Sequence, residues 1–171
     1  MIFCCLGELG LRAVGECLEL DRVVLECRVA EPDPWSRKCG AQGVVRDTVT
    51  RGLADEPFGW RPTILLIRIR RYSCAGCGKV WRHDTAAAAE PRAKISRRGL
   101  RWAVEGLVVG HLTVARVAAG LGVSWHTAND AVLAEGRRVL IDDPTRFDGS
   151  PRSGSTSTSG DTHATVTRPS P

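Results

Sequence analysis

The chain is bounded first by what it lacks. No apolar run in its 171 residues approaches the length that crosses a bilayer, so no membrane association is expected. The opening run from Met1 to Leu11 has no cationic start and is interrupted by Glu8, so it does not read as a secretion signal. The compartment expected from this is a reducing cytoplasm, where grouped cysteines mean metal more often than disulfide. No carboxylate cluster stands at metal spacing, which argues against a nuclease or transferase centre. Asp142, Asp143 and Asp148 read as a solvated loop rather than as ligands. A full set of four turn cysteines is missing too, although the chain has seven cysteines.

What is present is organised around Trp35 to Trp81. This stretch opens with Ser36-Arg37-Lys38-Cys39-Gly40 and closes with Cys74-Ala-Gly-Cys77-Gly78. Such turns can each offer two ligands to one metal, with a glycine just past the second where the chain bends tightly, and zinc takes four ligands in a tetrahedron. Cys39, Cys74 and Cys77 are well placed for Zn2+. Ser36 stands where a fourth cysteine would, and a hydroxyl that stays protonated near neutral pH is a poor substitute for a thiolate. The site is therefore expected to be weakened, completed by Cys27, by His83 or by Ser36 or water. Cys27 is preferred, because His83 lies six residues past Cys77, outside the usual turn spacing.

Val44 to Arg51 and Thr63 to Tyr72 read as the two strands of a hairpin, joined by a loop from Gly52 to Trp60 that contains Pro57. In the second strand Ile67 and Ile69 alternate with Arg68 and Arg70, so one face packs and the other is cationic. Upstream, residues 1–20 suggest at best a short helix and Asp21 to Val29 one strand. Cys4, Cys5 and Cys17 have no motif partners. Downstream, Thr85 to Pro91 reads as a linker.

Leu100, Ala103, Val104, Leu107 and Val108 then form the apolar stripe of an amphipathic helix that Gly110 ends, and Val114, Val117, Ala118 and Leu121 repeat the spacing. Gly122-Val123-Ser124 makes a turn, with Ser124 the expected N-cap of a third helix running to about Glu135. Helix, short turn and helix form a helix-turn-helix signature. The candidate base-reading residues are Trp125, His126, Thr127 and Asn129, at the start of the third helix. Arg116, Arg92, Lys94, Arg97, Arg98 and Arg101 are candidates for phosphate, together with Arg68 and Arg70. A plain three-helix bundle with Trp125 in its core is the competing reading.

The net charge of +5 is unevenly spread. Between positions 61 and 101 eleven basic residues face two acidic ones, a local net of +9 that leaves the rest of the chain at −4. A basic block in an otherwise acidic chain points to a polyanion, here double-stranded DNA. A homodimer is compatible with reading paired half-sites, although no heptad or apolar patch in the sequence argues for one.

The expected fold class is α+β: a small β-hairpin zinc ribbon, then a three-helix helix-turn-helix module and a disordered C-terminal tail. Residues 1–29 form an N-terminal helix/strand segment, 30–84 the ribbon-like domain, 85–96 a basic linker, 97–141 the helix-turn-helix domain and 142–171 a linker and tail. From Gly149 the run Ser150 to Asp161 is polar and of low complexity, too poor in apolar surface to order itself.

With both turns, the Arg-Arg-Tyr-Ser-Cys74 approach and the helix-turn-helix in view, residues from about 27 to 149 resemble the N-terminal part of bacterial transposases of the ISL-three insertion-sequence family. The stretches that carry the resemblance are Arg28-Val-Ala-Glu-Pro-Asp-Pro34, Cys74-Ala-Gly-Cys77-Gly-Lys-Val-Trp81 and Asp143-Pro-Thr-Arg-Phe-Asp-Gly149. The resemblance implies a zinc ribbon and a helix-turn-helix that recognise the element's terminal inverted repeats, followed by an RNase-H-like domain whose Asp-Asp-Glu triad holds two divalent metals for strand cleavage and transfer. The chain departs from that pattern at Ser36 and in having no catalytic domain. The expectation is a truncated, non-enzymatic DNA-binding front end, its tail an out-of-frame reading of the start of the catalytic domain. The alternative is a stand-alone zinc-ribbon interaction module or a DNA-binding regulator.

Overall fold

Alternation of buried and exposed residues in Arg61–Ser73 (β4) makes this strand the centre of a five-stranded sheet. A computed structural model describes residues 5–142. Thr63, Leu65, Ile67 and Ile69 are buried on one face of β4, while Arg68 and Arg70 are exposed on the other. Val23–Val29 (β2) lies parallel to β4, and Val44–Phe58 (β3) pairs antiparallel on its other side. Leu11–Leu18 (β1) adds antiparallel to β2, and the three-residue strand Val80–Arg82 (β5) pairs with the end of β4.

Two strands differ from the sequence expectation. Within residues 5–20 the described elements are a short 3-10 turn, Leu6–Leu9, and then β1, whose glycine and charges hide a strand that forms because β2 offers it an open edge. The hairpin connection expected over Gly52 to Trp60 is only Gly59-Trp60, since β3 runs on through Phe58. Gly59 has φ +65°, the left-handed backbone a tight turn requires and that glycine adopts without a Cβ penalty. Gly52 and Pro57 are tolerated because the strand is an edge one, interrupted by a bulge between Asp55 and Phe58.

The core of the sheet joins Leu6, Leu9, Leu11, Leu25, Cys27, Leu53, Leu65 and Ile67 with Ala88 and Ala89. These last two belong to the stretch that reads as a linker, yet both are fully or almost fully buried. Arg51 pins the stretch by donating to Thr85 Oγ1 at 3.1 Å and to the carbonyls of Glu90 and Ala93 at 2.7 and 3.0 Å. Small side chains let this segment lie flat on the sheet, and that packing rather than any helical or strand pattern orders it.

Three helices follow: Arg97–Val108 (α1), Val114–Leu121 (α2) and Trp125–Leu140 (α3). Each begins at a hydroxyl cap, with Ser96, Thr113 and Ser124 accepting from the backbone N–H three residues on. Their shared core is Ala103, Val117, Ala118, Leu121 and Ala128, with Leu100 and Leu107 packed against it. Trp102 closes α1 on α2 by lying over Gly120, where a Cβ would come within 2.7 Å of its ring. The architecture is a mixed α+β fold with a β-sheet and three helices. The expected tail, and with it the proposed out-of-frame segment and the Asp143 to Gly149 stretch, lies outside the described residues.

Candidate metal centre and nucleic-acid face

Both five-residue turns have the same hydrogen-bond pattern. In the first, Gly40 N–H donates to the Ser36 carbonyl at 2.8 Å and Ser36 N–H to Ala41 at 2.9 Å. In the second, Gly78 N–H donates to the Cys74 carbonyl at 2.9 Å and Cys74 N–H to Lys79 at 3.0 Å. Gly40 and Gly78 take φ values of +72° and +68°, which is why each turn ends in glycine. The register of β3 on β4, with Val44 opposite Ser73, brings the turns together at one end of the hairpin.

The sulfurs of Cys39, Cys74 and Cys77 lie within 4.8 Å of one another, a group that could hold a metal ion. Cys39 Sγ and Cys74 Sγ are 3.5 Å apart, and Ser36 Oγ stands 3.5 Å from Cys77 Sγ. A tetrahedron with metal–sulfur bonds of about 2.3 Å has edges of roughly 3.8 Å, near the 3.5 Å between Cys39 and Cys74, with Ser36 beside Cys77. The Ser36 hydroxyl also accepts from the Lys38 N–H at 3.3 Å, and the residue is buried.

Neither of the other fourth-ligand candidates joins this group. Cys27 sits fully buried in the sheet core, opposite Ile67, with its thiol donating to the Leu25 carbonyl at 3.5 Å. Its place on the inward face of β2 follows from strand alternation, which nearness in sequence cannot override. His83 is also buried, and its Nε2 meets the Tyr72 hydroxyl at 2.8 Å.

The thiols are electrostatically unequal. A hydrogen bond from Ser36, aided by the Lys79 N–H, lowers Cys77 to about 6, so its thiolate forms readily. Cys74 is held above its ordinary value: the Cys77 N–H pulls it down, but Cys39 and burial outweigh that pull.

At the other end of the hairpin the three helices are attached by a buried charge pair. Asp55, fully buried near the end of β3, accepts from the Ser96 hydroxyl that caps α1, and pairs with the Arg98 guanidinium. Arg98 therefore turns inward rather than toward a ligand, a correction to its expected role on phosphate. Its side chain is 13% exposed and lies 3.7 Å from Glu56 as well. Sequence reasoning passed over Asp55, for which the only signal is one carboxylate after the apolar pair Leu53-Ala54.

The other predicted cations divide into two groups. Arg97 pairs with Glu90 and donates to the Ala86 carbonyl, Arg101 stands 3.4 Å from Glu8, and Arg68 bonds Glu26 at 3.0 Å. Arg70, Arg92, Lys94 and Arg116 are exposed, with no carboxylate partner among the described residues. Arg92 and Lys94 line a cleft of about 550 Å³ together with Thr127 and Asp130 of α3. Trp125 is 48% exposed, with the His126 ring edge-on at 5.3 Å, so it is not a core residue. Asn129 is half-buried beside Ala128, the buried residue of α3.

The sequence suggested no apolar patch, but the fold creates one. Val108 on α1 and Leu133, Leu140 and Ile141 at the end of α3 are exposed around a groove of about 1050 Å³. Among the described residues, no helix is long and apolar enough to cross a membrane. No family model matches the chain, and no curated protein or solved structure matches it either.

Proposed function

We propose that this chain binds double-stranded DNA as the recognition part of an insertion-sequence transposase. In this reading the two turns form a zinc ribbon, α2 and α3 form a helix-turn-helix, and the chain carries no catalytic core of its own. The observation that carries it is the surface around the start of α3. Trp125 and His126 are exposed there, and Arg92 and Lys94 border the same helix from the preceding segment. A capped helix start with exposed polar and aromatic groups, flanked by cations without carboxylate partners, suits base contacts in the major groove with phosphate contacts beside them.

Zinc is the ion this reading places in the donor set. Thiolates favour soft or borderline ions, and a tetrahedral thiolate site is characteristic of zinc among them. Cys39, Cys74 and Cys77 would bind it, with Ser36 or a water in the fourth place, and its contribution would be to hold the two turns together. A homodimer belongs to this reading, since paired half-sites are commonly read by two copies.

The test is enrichment of duplexes from a random pool, and from DNA flanking the coding sequence, by the purified chain at low salt. Enrichment of a defined sequence that Asn129→Ala and Thr127→Ala abolish is the expected result. No duplex binding at low salt overturns the proposal, and metal-dependent nicking by the purified chain overturns the claim that it lacks a catalytic core.

A further inference from the structure

The outer face of the sheet carries a feature that the helices do not explain. Arg12 on β1 is the register partner of Arg28 on β2, and Arg28 is in turn the partner of Arg68 on β4. Three arginines therefore stand in one row across three strands, and Arg70 adds a fourth two residues along β4, opposite Thr48 of β3. All four are exposed, on the face opposite the buried Leu11, Cys27, Ile67 and Ile69. With neighbouring strands about 4.8 Å apart, the row from Arg12 to Arg68 spans roughly 10 Å.

Like charges directly opposite one another destabilise a sheet. Two such pairs occur here in succession, and only Glu26 answers them, through its bond to Arg68. Arg12, Arg28 and Arg70 have no carboxylate partner among the described residues. Together they line a cleft of about 240 Å³ whose wall contains no carboxylate.

His83 lies at one end of this cleft. It is 6% exposed, and its Nδ1 is buried without a hydrogen-bond partner among the described residues. Its Nε2 shares a hydrogen bond with the Tyr72 hydroxyl at 2.8 Å, in which either group can be the donor. A buried polar atom left without a partner costs free energy.

We infer that this outer sheet face holds the sugar–phosphate backbone of DNA, with Arg12, Arg28 and Arg70 each pairing with phosphodiester oxygens. Guanidinium suits this better than ammonium because its planar fork meets two phosphate oxygens at once. A row longer than one phosphate fits a repeating anion rather than a single small one. The inference rests on the DNA-binding reading and deepens it: α3 contacts bases, while the sheet supplies affinity that does not depend on sequence.

The test compares wild type with the double variant Arg12→Gln/Arg28→Gln on a short random-sequence duplex across a salt series. Each lost phosphate contact lowers the slope of log K against log salt by about 0.9, so the double variant should lose roughly 1.8 of the slope. Preference for any enriched sequence should survive, Arg28→Lys should keep the slope, and the melting temperature should hold or rise as like charges are removed. An unchanged slope and affinity in the double variant, with wild type binding, overturns the inference alone. Wild type that binds the random duplex but prefers no sequence overturns the recognition role of α3 and leaves the row standing. Wild type that binds no duplex at low salt overturns both.

Discussion

The two ends of the β3–β4 hairpin are held by opposite means. At the end near Val44 and Ser73, three thiols and a hydroxyl converge as a group that could hold a metal ion. At the end near Asp55, the carboxylate, the Ser96 hydroxyl and the Arg98 guanidinium answer one another completely. One end could thus be finished by a metal, and the other is finished by the chain. Stability at the first should depend on what is bound, and at the second only on what is encoded.

Breaking the encoded end should cost most. Asp55→Ala removes the buried carboxylate that pairs with the mostly buried Arg98 guanidinium, and loss of about 3–5 kcal/mol is expected in chemical denaturation. Asp55→Ala/Arg98→Ala should recover part of it, and a simple sum of the two single losses would mean the pair is not coupled. Next comes Gly99→Ala. A Cβ there would sit 3.1 Å from the Ala54 carbonyl oxygen and 3.2 Å from the Asp55 carbonyl carbon, and backbone cannot swing away as a side chain can. A loss of about 1–3 kcal/mol should appear in the same assay.

The ligand-dependent end should respond in the other direction. Ser36→Cys completes a four-thiolate set, so zinc affinity by competitive chelation should rise at least about tenfold, roughly 1.4 kcal/mol, with a higher melting temperature in zinc. No change in either would mean that the fourth ligand lies elsewhere or that the site is empty. Chelator added to wild type should speed amide exchange at Cys39 and Cys77 while leaving Ala54 and Gly99 protected, because the second end needs no ligand.

The smallest effect belongs to His83, which lies beyond the thiol turns. Burial, with the Arg70 charge, lowers its pKa below the ordinary 6.5 despite the opposing pull of Asp33. Since the unfolded chain then takes up the proton first, the stability His83 contributes is full above pH 6.5 and declines as pH falls toward the lowered value. His83→Gln should flatten that part of the pH–stability curve, and an unchanged curve would show that the imidazole does not titrate on unfolding.

Legibility in the sequence followed the range of the interaction. The two turns, the Ser124 cap of α3 and the alternation in β4 each depend on residues within a few positions of one another, and each stands in the structure where its local pattern puts it. Element boundaries were less legible: β3 runs on through Phe58 where a loop was expected, and α3 to Leu140 without a breaking residue at Glu135. The unforeseen features all depend on a distant partner. β1 forms because β2 has a free edge, Ala88 and Ala89 are buried because a sheet face lies beneath them, and Cys27 leaves the thiol group because strand parity turns it inward.

By itself, then, the sequence determined the local geometry of this protein: turns that present cysteines, helices with their caps, and a strand with one cationic face. Only the tertiary structure decided which charges are used up and which stay exposed. It turned Arg98 inward onto Asp55, and it aligned Arg12, Arg28 and Arg68 in a single row. The physical reason is that strand register and helix docking are set by burial over the whole core, and burial brings together residues whose separation in the chain carries no signal of their contact.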